Sequence, residues 1–178
     1  MNEPQIRQAT ARDVNELVEL EKLSFVSDKI TKRQFKYLIN QGKARILLAE
    51  LDGKTIGYAI LLTPTTSKRS RLYSIAVKSS YRGRGIGRAI IGKVIGIAAA
   101  LEYEELSLEV RKSDLNTIKI YEEEGFRILK ELPGYYEDGT DGIRMVRGIT
   151  KRDLGDLKSR HSLLGRLFFG IKAGRGAA

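Results

Sequence analysis

Three glycines at alternate positions, Gly83, Gly85 and Gly87, interrupt a basic run between an apolar segment and a helix-like one. No other stretch of this 178-residue chain limits its fold so tightly. The apolar residues Leu72 to Val77 read as a buried strand, and Arg88 to Leu101 as a helix with Ile90, Ile91, Val94, Ile95 and Ala98 along one face. Glycine reaches positive φ and lets a ligand approach without a Cβ in the way. A helix beginning at Gly87 adds unpaired N–H groups and the positive end of its dipole. Arg82, Arg84 and Arg88 bring formal charge. The stretch therefore reads as a cradle for a diphosphate; the alternative is a tight turn that only joins two elements. A P-loop is excluded because the run ends Gly87-Arg88-Ala89. A dinucleotide fingerprint counted from Gly83 and Gly85 meets Arg88 where glycine is required.

Elsewhere the signals are local. Ile6 to Ala9 reads as a short strand, and Thr10 with Asp13 has capping-box spacing for a helix bearing Val14, Leu17 and Val18. Thr31 and Gln34 form a second box, with Ile30 and Phe35 at the positions of a hydrophobic staple, and Gly42 closes that helix. Asp52-Gly53 between two alternating runs, Arg45 to Leu51 and Thr55 to Leu62, predicts a hairpin. Thr63 to Arg71 reads as a loop. Then come a strand over Leu106 to Val110, a helix over Leu115 to Glu124, and two strands around a Tyr135 to Gly142 loop. In the Leu106 strand, alternation puts Leu106, Leu108 and Val110 on one face and Ser107 with Glu109 on the other.

Composition narrows the chemistry. The chain has no cysteine, so disulfides, thiolate metal sites and a cysteinyl intermediate are impossible, and its single histidine, His161, lies near the C-terminus. Proton transfer falls to Glu, Asp, Lys or Tyr, and no metal is expected. The first residues lack the pattern of a signal peptide, and no segment reaches the ~20 apolar residues of a membrane span. A cytoplasmic protein is expected.

The spacing from Arg82 to Gly87 fits R-x-x-G-x-G, and other pieces follow in order. Ile75-Ala76-Val77 precedes the glycines, and Leu108-Glu109-Val110-Arg111 follows their helix. Ile120-Tyr121-Glu122, Gly125-Phe126 and Tyr135-Tyr136-Glu137-Asp138-Gly139 come next. In this series the chain resembles the Gcn5-related N-acetyltransferase superfamily over residues 5 to 148. It is most similar to the branch that acetylates protein N-terminal amines, typified by the ribosomal-protein-alanine N-acetyltransferases. The resemblance implies an α/β acetyltransferase fold, with a central mixed, mostly antiparallel sheet flanked by helices. It also implies acetyl-CoA as cosubstrate, held by Ile75, Ala76, Val77, Arg82, Gly83, Arg84, Gly85, Ile86, Gly87 and Arg88, and direct attack of an amine on the thioester.

Carried over residue by residue, the resemblance makes Glu109 the general base and Tyr121 the acid that protonates the departing thiolate, with main-chain N–H near Val77 polarising the thioester oxygen. Read from the residues alone, Glu109 is a solvated strand carboxylate and Tyr121 a packing aromatic beside Ile118. The pattern departs at Asp114, where asparagine usually contacts the coenzyme. Aspartate lacks the amide donor but suits a helix N-cap. Gly142 stands where alanine is more usual. Tyr135 and Tyr136 border the acceptor slot in this branch; otherwise they pack the hairpin or a dimer contact. Alternatives in function are a lysine side-chain or small-amine acetyltransferase, or a non-catalytic acyl-CoA-binding module.

Net charge is +10. Much of the excess lies in residues 149–178, a basic extension to the 1–148 domain in which Leu163, Leu164, Leu167, Phe168 and Ile171 alternate with cations. Such a segment packs on the domain, meets a partner, or contacts ribosomal RNA or an anionic membrane.

Overall fold

A computed structural model describes residues 3–155. Its chain order is β1 (Gln5–Gln8), α1 (Val14–Ser24), α2 (Lys32–Asn40), β2 (Ala44–Leu51), β3 (Lys54–Leu62), β4 (Arg69–Val77), α3 (Ile86–Ala100), β5 (Glu105–Arg111), α4 (Leu115–Glu123), β6 (Arg127–Leu132) and β7 (Gly142–Gly148). The strands form one seven-stranded sheet in the order β1-β2-β3-β4-β5-β7-β6. Only β4 and β5 run parallel; every other neighbouring pair is antiparallel. This is the mixed, mostly antiparallel sheet flanked by helices that the resemblance implies.

Both capping boxes form. Asp13 accepts the Thr10 N–H at 2.7 Å at the end of a short 3-10 turn that leads into α1. The same carboxylate is gripped by the Arg7 guanidinium at 2.8 and 2.9 Å, which holds its pKa at about 2. Thr31 and Gln34 cap α2 reciprocally, and Ile30 and Phe35 are both buried in the cluster beneath it. In the β2–β3 hairpin Asp52 and Gly53 both have positive φ, 50° and 72°, as a two-residue type I′ turn requires.

Alternation along the strands feeds two apolar layers. Leu47, Ala59, Leu61, Leu106 and Leu108 face α3 and α4; Ile46, Leu48, Tyr58 and Ile60 face α1 and α2. In β4 the alternation breaks. Ile60 pairs with Ser74 but Leu61 pairs with Leu72, so Tyr73 is an extra residue, a β-bulge. Leu72, Ile75 and Val77 therefore all face α3, while Ala76 faces α1 and α2.

Two boundaries differ from the sequence reading. β4 begins at Arg69, because Arg69 to Leu72 pair with Glu105 to Leu108 of β5, so the preceding loop is shorter than Thr63 to Arg71. α3 begins at Ile86, because Gly85, at φ 77°, itself serves as the N-cap. After β7, the Asp153 carboxylate accepts from the Thr150 N–H at 2.7 Å and from its hydroxyl at 2.9 Å at the start of a helical segment, residues 151–155, and is tied to Arg147 at 2.7 Å. The apolar residues of the tail from Leu157 onward lie outside the described residues. No helix among the described residues is long and apolar enough to cross a membrane.

Candidate active site

Pairing between β4 and β5 stops at Leu72 and Leu108, although β4 runs on to Val77 and β5 to Arg111. The strands part there and leave an opening in the middle of the sheet. The bulge at Tyr73 marks the same point on β4, and Glu109 is the first residue of β5 beyond it. Lys78 donates its N–H to Ile56 of β3 at 2.8 Å. Main-chain groups of a strand alternate in direction, so the peptide groups of Val77 and Ile75 face the edge that β5 has left, whereas Ala76 turns toward β3. Val77 accordingly offers its carbonyl to Arg82 Nε at 3.0 Å.

At the far end of the opening the glycine loop leads into α3. Gly83 and Gly85 have φ of 74° and 77°, a region where a side chain is strained, and a Cβ at Gly83, Gly85 or Gly87 would meet nothing within 4 Å. The concavity is thus backbone-lined. Ala89 donates to the Gly85 carbonyl at 3.0 Å, and the amides of Ile86, Gly87 and Arg88, ahead of it, have no intrahelical acceptor. These are the donors a diphosphate needs, so the cradle fits the diphosphate of coenzyme A. The arginines divide: Arg84 lies over the Tyr81 ring at 5.4 Å, while Arg88 is paired with Glu123 and Glu124 of α4. The Arg88 side chain is thus engaged by α4, whereas its amide has no intrahelical acceptor.

Glu109 is nearly enclosed, its side chain 5% exposed. Arg71 holds one oxygen at 2.6 Å and Arg144 holds the other at 2.8 Å. Arg71 also donates to the Tyr135 hydroxyl at 2.8 Å. Neither arginine is legible from local sequence. Both come from strands that flank Glu109 in the sheet, β4 and β7, and Arg144 stands directly opposite it in register.

Tyr121 lies on the other side of the sheet, buried and edge-to-face with Phe126 at 5.7 Å. Burial raises the pKa of its phenol, and the nearby Asp114 and Tyr136 add to the effect. It holds its proton firmly at neutral pH. Asp114 acts as the N-cap of α4, accepting from the Thr117 N–H at 3.1 Å and its hydroxyl at 2.7 Å. Both oxygens are turned to their own helix, which is the role the departure from asparagine suits.

Tyr135 and Tyr136 sit in the β6–β7 loop, edge-to-face at 5.2 Å. Arg111 stacks at 4.1 Å on the Tyr136 ring while bonding Asp138 and the Ser27 hydroxyl. Burial pushes the Tyr136 phenol up to about 12. Asp28 and Glu137 exchange main-chain and side-chain hydrogen bonds at 3.2 and 3.3 Å. The β6–β7 loop is therefore clipped to the loop between α1 and α2. That second loop is anchored from below by the buried Glu21, which accepts from the Ile30 N–H and the Tyr58 hydroxyl. Gly142 lies under Tyr135: a Cβ there would stand 3.2 Å from the ring. Glycine at this position gives the tyrosine room to settle.

Comparison with known proteins agrees with this fold. The model of the Acetyltransferase (GNAT) family matches residues 12–126. A curated relative, an N-alpha-acetyltransferase of Sulfurisphaera tokodaii, is 30% identical over 155 residues, spanning 81% of this chain and 92% of its own. An N-alpha-acetyltransferase of Saccharolobus solfataricus is 28% identical over 80% of this chain and 91% of its own. Among solved structures, the ribosomal-protein-S18-alanine N-acetyltransferase of Escherichia coli superposes with a TM-score of 0.75 at 25% identity, covering 83% of this chain and 94% of that one. A GNAT family acetyltransferase of Elizabethkingia anophelis with acetyl-CoA bound shares the fold, at a TM-score of 0.67 over 83% of this chain and 99% of that one, with 22% identity.

Proposed function

Because the chain belongs to the acetyltransferase (GNAT) family, we propose that it moves an acetyl group from acetyl-CoA to the α-amine of a peptide or protein N-terminus. The observation that carries this reading is the gap between β4 and β5. Glu109 stands at its apex, the backbone-lined start of α3 at one end and the clipped tyrosine loop at the other. The named relatives point to the same acceptor class.

Acetyl-CoA supplies the acetyl group as a thioester already activated for attack. In this reading the α3 amides and Arg82 hold its diphosphate, and the peptide groups of Ile75 and Val77 align its chain along the free edge of β4. A main-chain N–H near Val77 polarises the carbonyl. The acceptor enters beside Tyr135 and Tyr136. An α-amine has a pKa of about 8, so only a minority is neutral at pH 7; Glu109 takes the proton, directly or through a water. Both its oxygens already accept from arginines, so the incoming proton reaches a carboxylate held in place rather than a free one. Tyr121 gives its phenolic proton to the leaving sulfur and recovers one from solvent. Such a reaction uses no metal, and the cytoplasm is its expected compartment.

Acetyl transfer profiled across peptide N-termini, internal lysines and polyamines tests the acceptor. Turnover confined to lysines or polyamines refutes it, and acetyl-CoA binding without any transfer would make the chain a binding module.

A further inference from the structure

Beside Glu109, on the face of the sheet that α1 and α2 share, lies a cavity of about 440 Å³. Its floor is Arg69 and Arg71 of β4, Ser107 and Glu109 of β5 and Arg144 of β7, with α2 and the β3–β4 loop as walls. Its charge is unbalanced. Lys43, Arg69, Arg71 and Arg144 border it, against Glu109 and the Glu105 that pairs with Arg69 at 2.6 Å. Arg71 and Arg144 share the single carboxylate of Glu109. Arg144 reaches it through Nε alone, which leaves its terminal nitrogens, four of the five N–H donors of a guanidinium, for another acceptor.

We propose that this cavity receives the acidic side chain, aspartate or glutamate, of an acceptor peptide one or two residues beyond its amine. The inference rests on the N-terminal acceptor reading above. With the amine at Glu109, an extended chain advances about 3.3 to 3.6 Å per residue, so the second or third side chain comes level with the neighbouring cavity. A planar guanidinium matches a carboxylate through paired N–H groups, which a lone hydroxyl or amide does not reproduce. Leu38, Leu62 and Pro64 along the walls suit the methylene stem of such a side chain. A lysine at that place would meet cations and no unshared carboxylate.

The test uses the full chain, acetyl-CoA and peptides identical except at the second and third residues, which carry Asp or Glu, Asn or Gln, or Lys. The expected kcat/KM for the acidic peptides exceeds that of their amides by about tenfold, and the Lys peptides fall below both. Lys43→Glu should bring the acid-to-amide ratio toward one. In wild type, raising the salt from about 0.05 to 0.5 M should shrink the same ratio, a check that does not depend on the variant folding. Equal rates for acid and amide peptides, all of them acetylated well, overturn the inference and leave the N-terminal reading intact. Failure to acetylate any peptide N-terminus, with lysines or polyamines accepted instead, overturns both.

Discussion

Gly57→Ala is a one-carbon change with a sign that follows from the packing of β3 against β4. Gly57 pairs with Val77. An added Cβ would stand 2.8 Å from the Ala76 carbonyl oxygen, 3.2 Å from Ile90 Cδ1 and 3.4 Å from Val77 Cγ2. The isoleucine tip can turn aside, but the carbonyl belongs to a paired strand. Carbon and oxygen approach to about 3.3 Å, so β4 must yield by roughly half an ångström. Overpacking of this kind costs about 1–3 kcal/mol, offset by the roughly 0.5–1 kcal/mol that alanine gains over glycine within a strand. Taking the middle of each range, the net loss is about 1 kcal/mol, or a melting temperature lower by roughly 2–4 °C for a chain of this size. The displaced segment carries the peptide groups assigned to the coenzyme, so acetyl-CoA affinity should fall as well. Gly87→Ala is the control: a Cβ there meets nothing and the residue is helical, so its melting temperature should rise slightly. Differential scanning calorimetry of the two variants decides it. A Gly57→Ala protein that melts at or above wild type would show that the two strands are not packed as described.

Three further outcomes are expected. Gly85→Asp puts a side chain and an anion at a residue with φ 77° in the cradle, and should weaken acetyl-CoA binding well over tenfold by calorimetry; unchanged affinity in a folded protein removes the diphosphate assignment. Glu109→Gln and Tyr121→Phe should each lower turnover about 10²- to 10⁴-fold with coenzyme affinity largely kept, and near wild-type rates in both across pH refute their roles. Asp13 has its pKa lowered from 3.8 to about 2 by the Arg7 hydrogen bonds. Its stabilising share, about 2 kcal/mol, is fully present above pH 4 and is lost as pH falls toward 2. Asp13→Asn should therefore be less stable than wild type near neutrality, and the gap should narrow in acid; a gap that stays constant from pH 6 to 2 rules this out.

Features encoded within a few residues were legible in the sequence. The boxes at Thr10 and Thr31, the Asp52-Gly53 turn and the alternation that isolates Glu109 each depend on neighbours in the chain, and each appears as read. The start of α3 was misplaced because its cap is a glycine in the left-handed region, which carries no side-chain signal. What surrounds Glu109 was hidden for a different reason. Arg71 is 38 residues before it and Arg144 is 35 after it, and only the strand order brings them together. Asp114 was legible as a cap but not as one with both oxygens engaged by Thr117.

The extra residue at Tyr73 makes β4 two strands of opposite parity joined end to end. Before it, odd-numbered Arg71 looks toward the acceptor cavity; after it, odd-numbered Ile75 and Val77 look toward α3. Deleting Tyr73 would restore regular pleating and leave both flanking registers as they are, Leu72 opposite Leu61 and Ser74 opposite Ile60. Ile75 and Val77 would stay in the α3 layer, Ser74 and Ala76 in the opposite one, and Arg71 would keep its place beside Glu109. What would be lost is the local bend and added twist of the bulge, so the length of the chain here sets the direction in which β4 leaves β5 rather than the faces its side chains take.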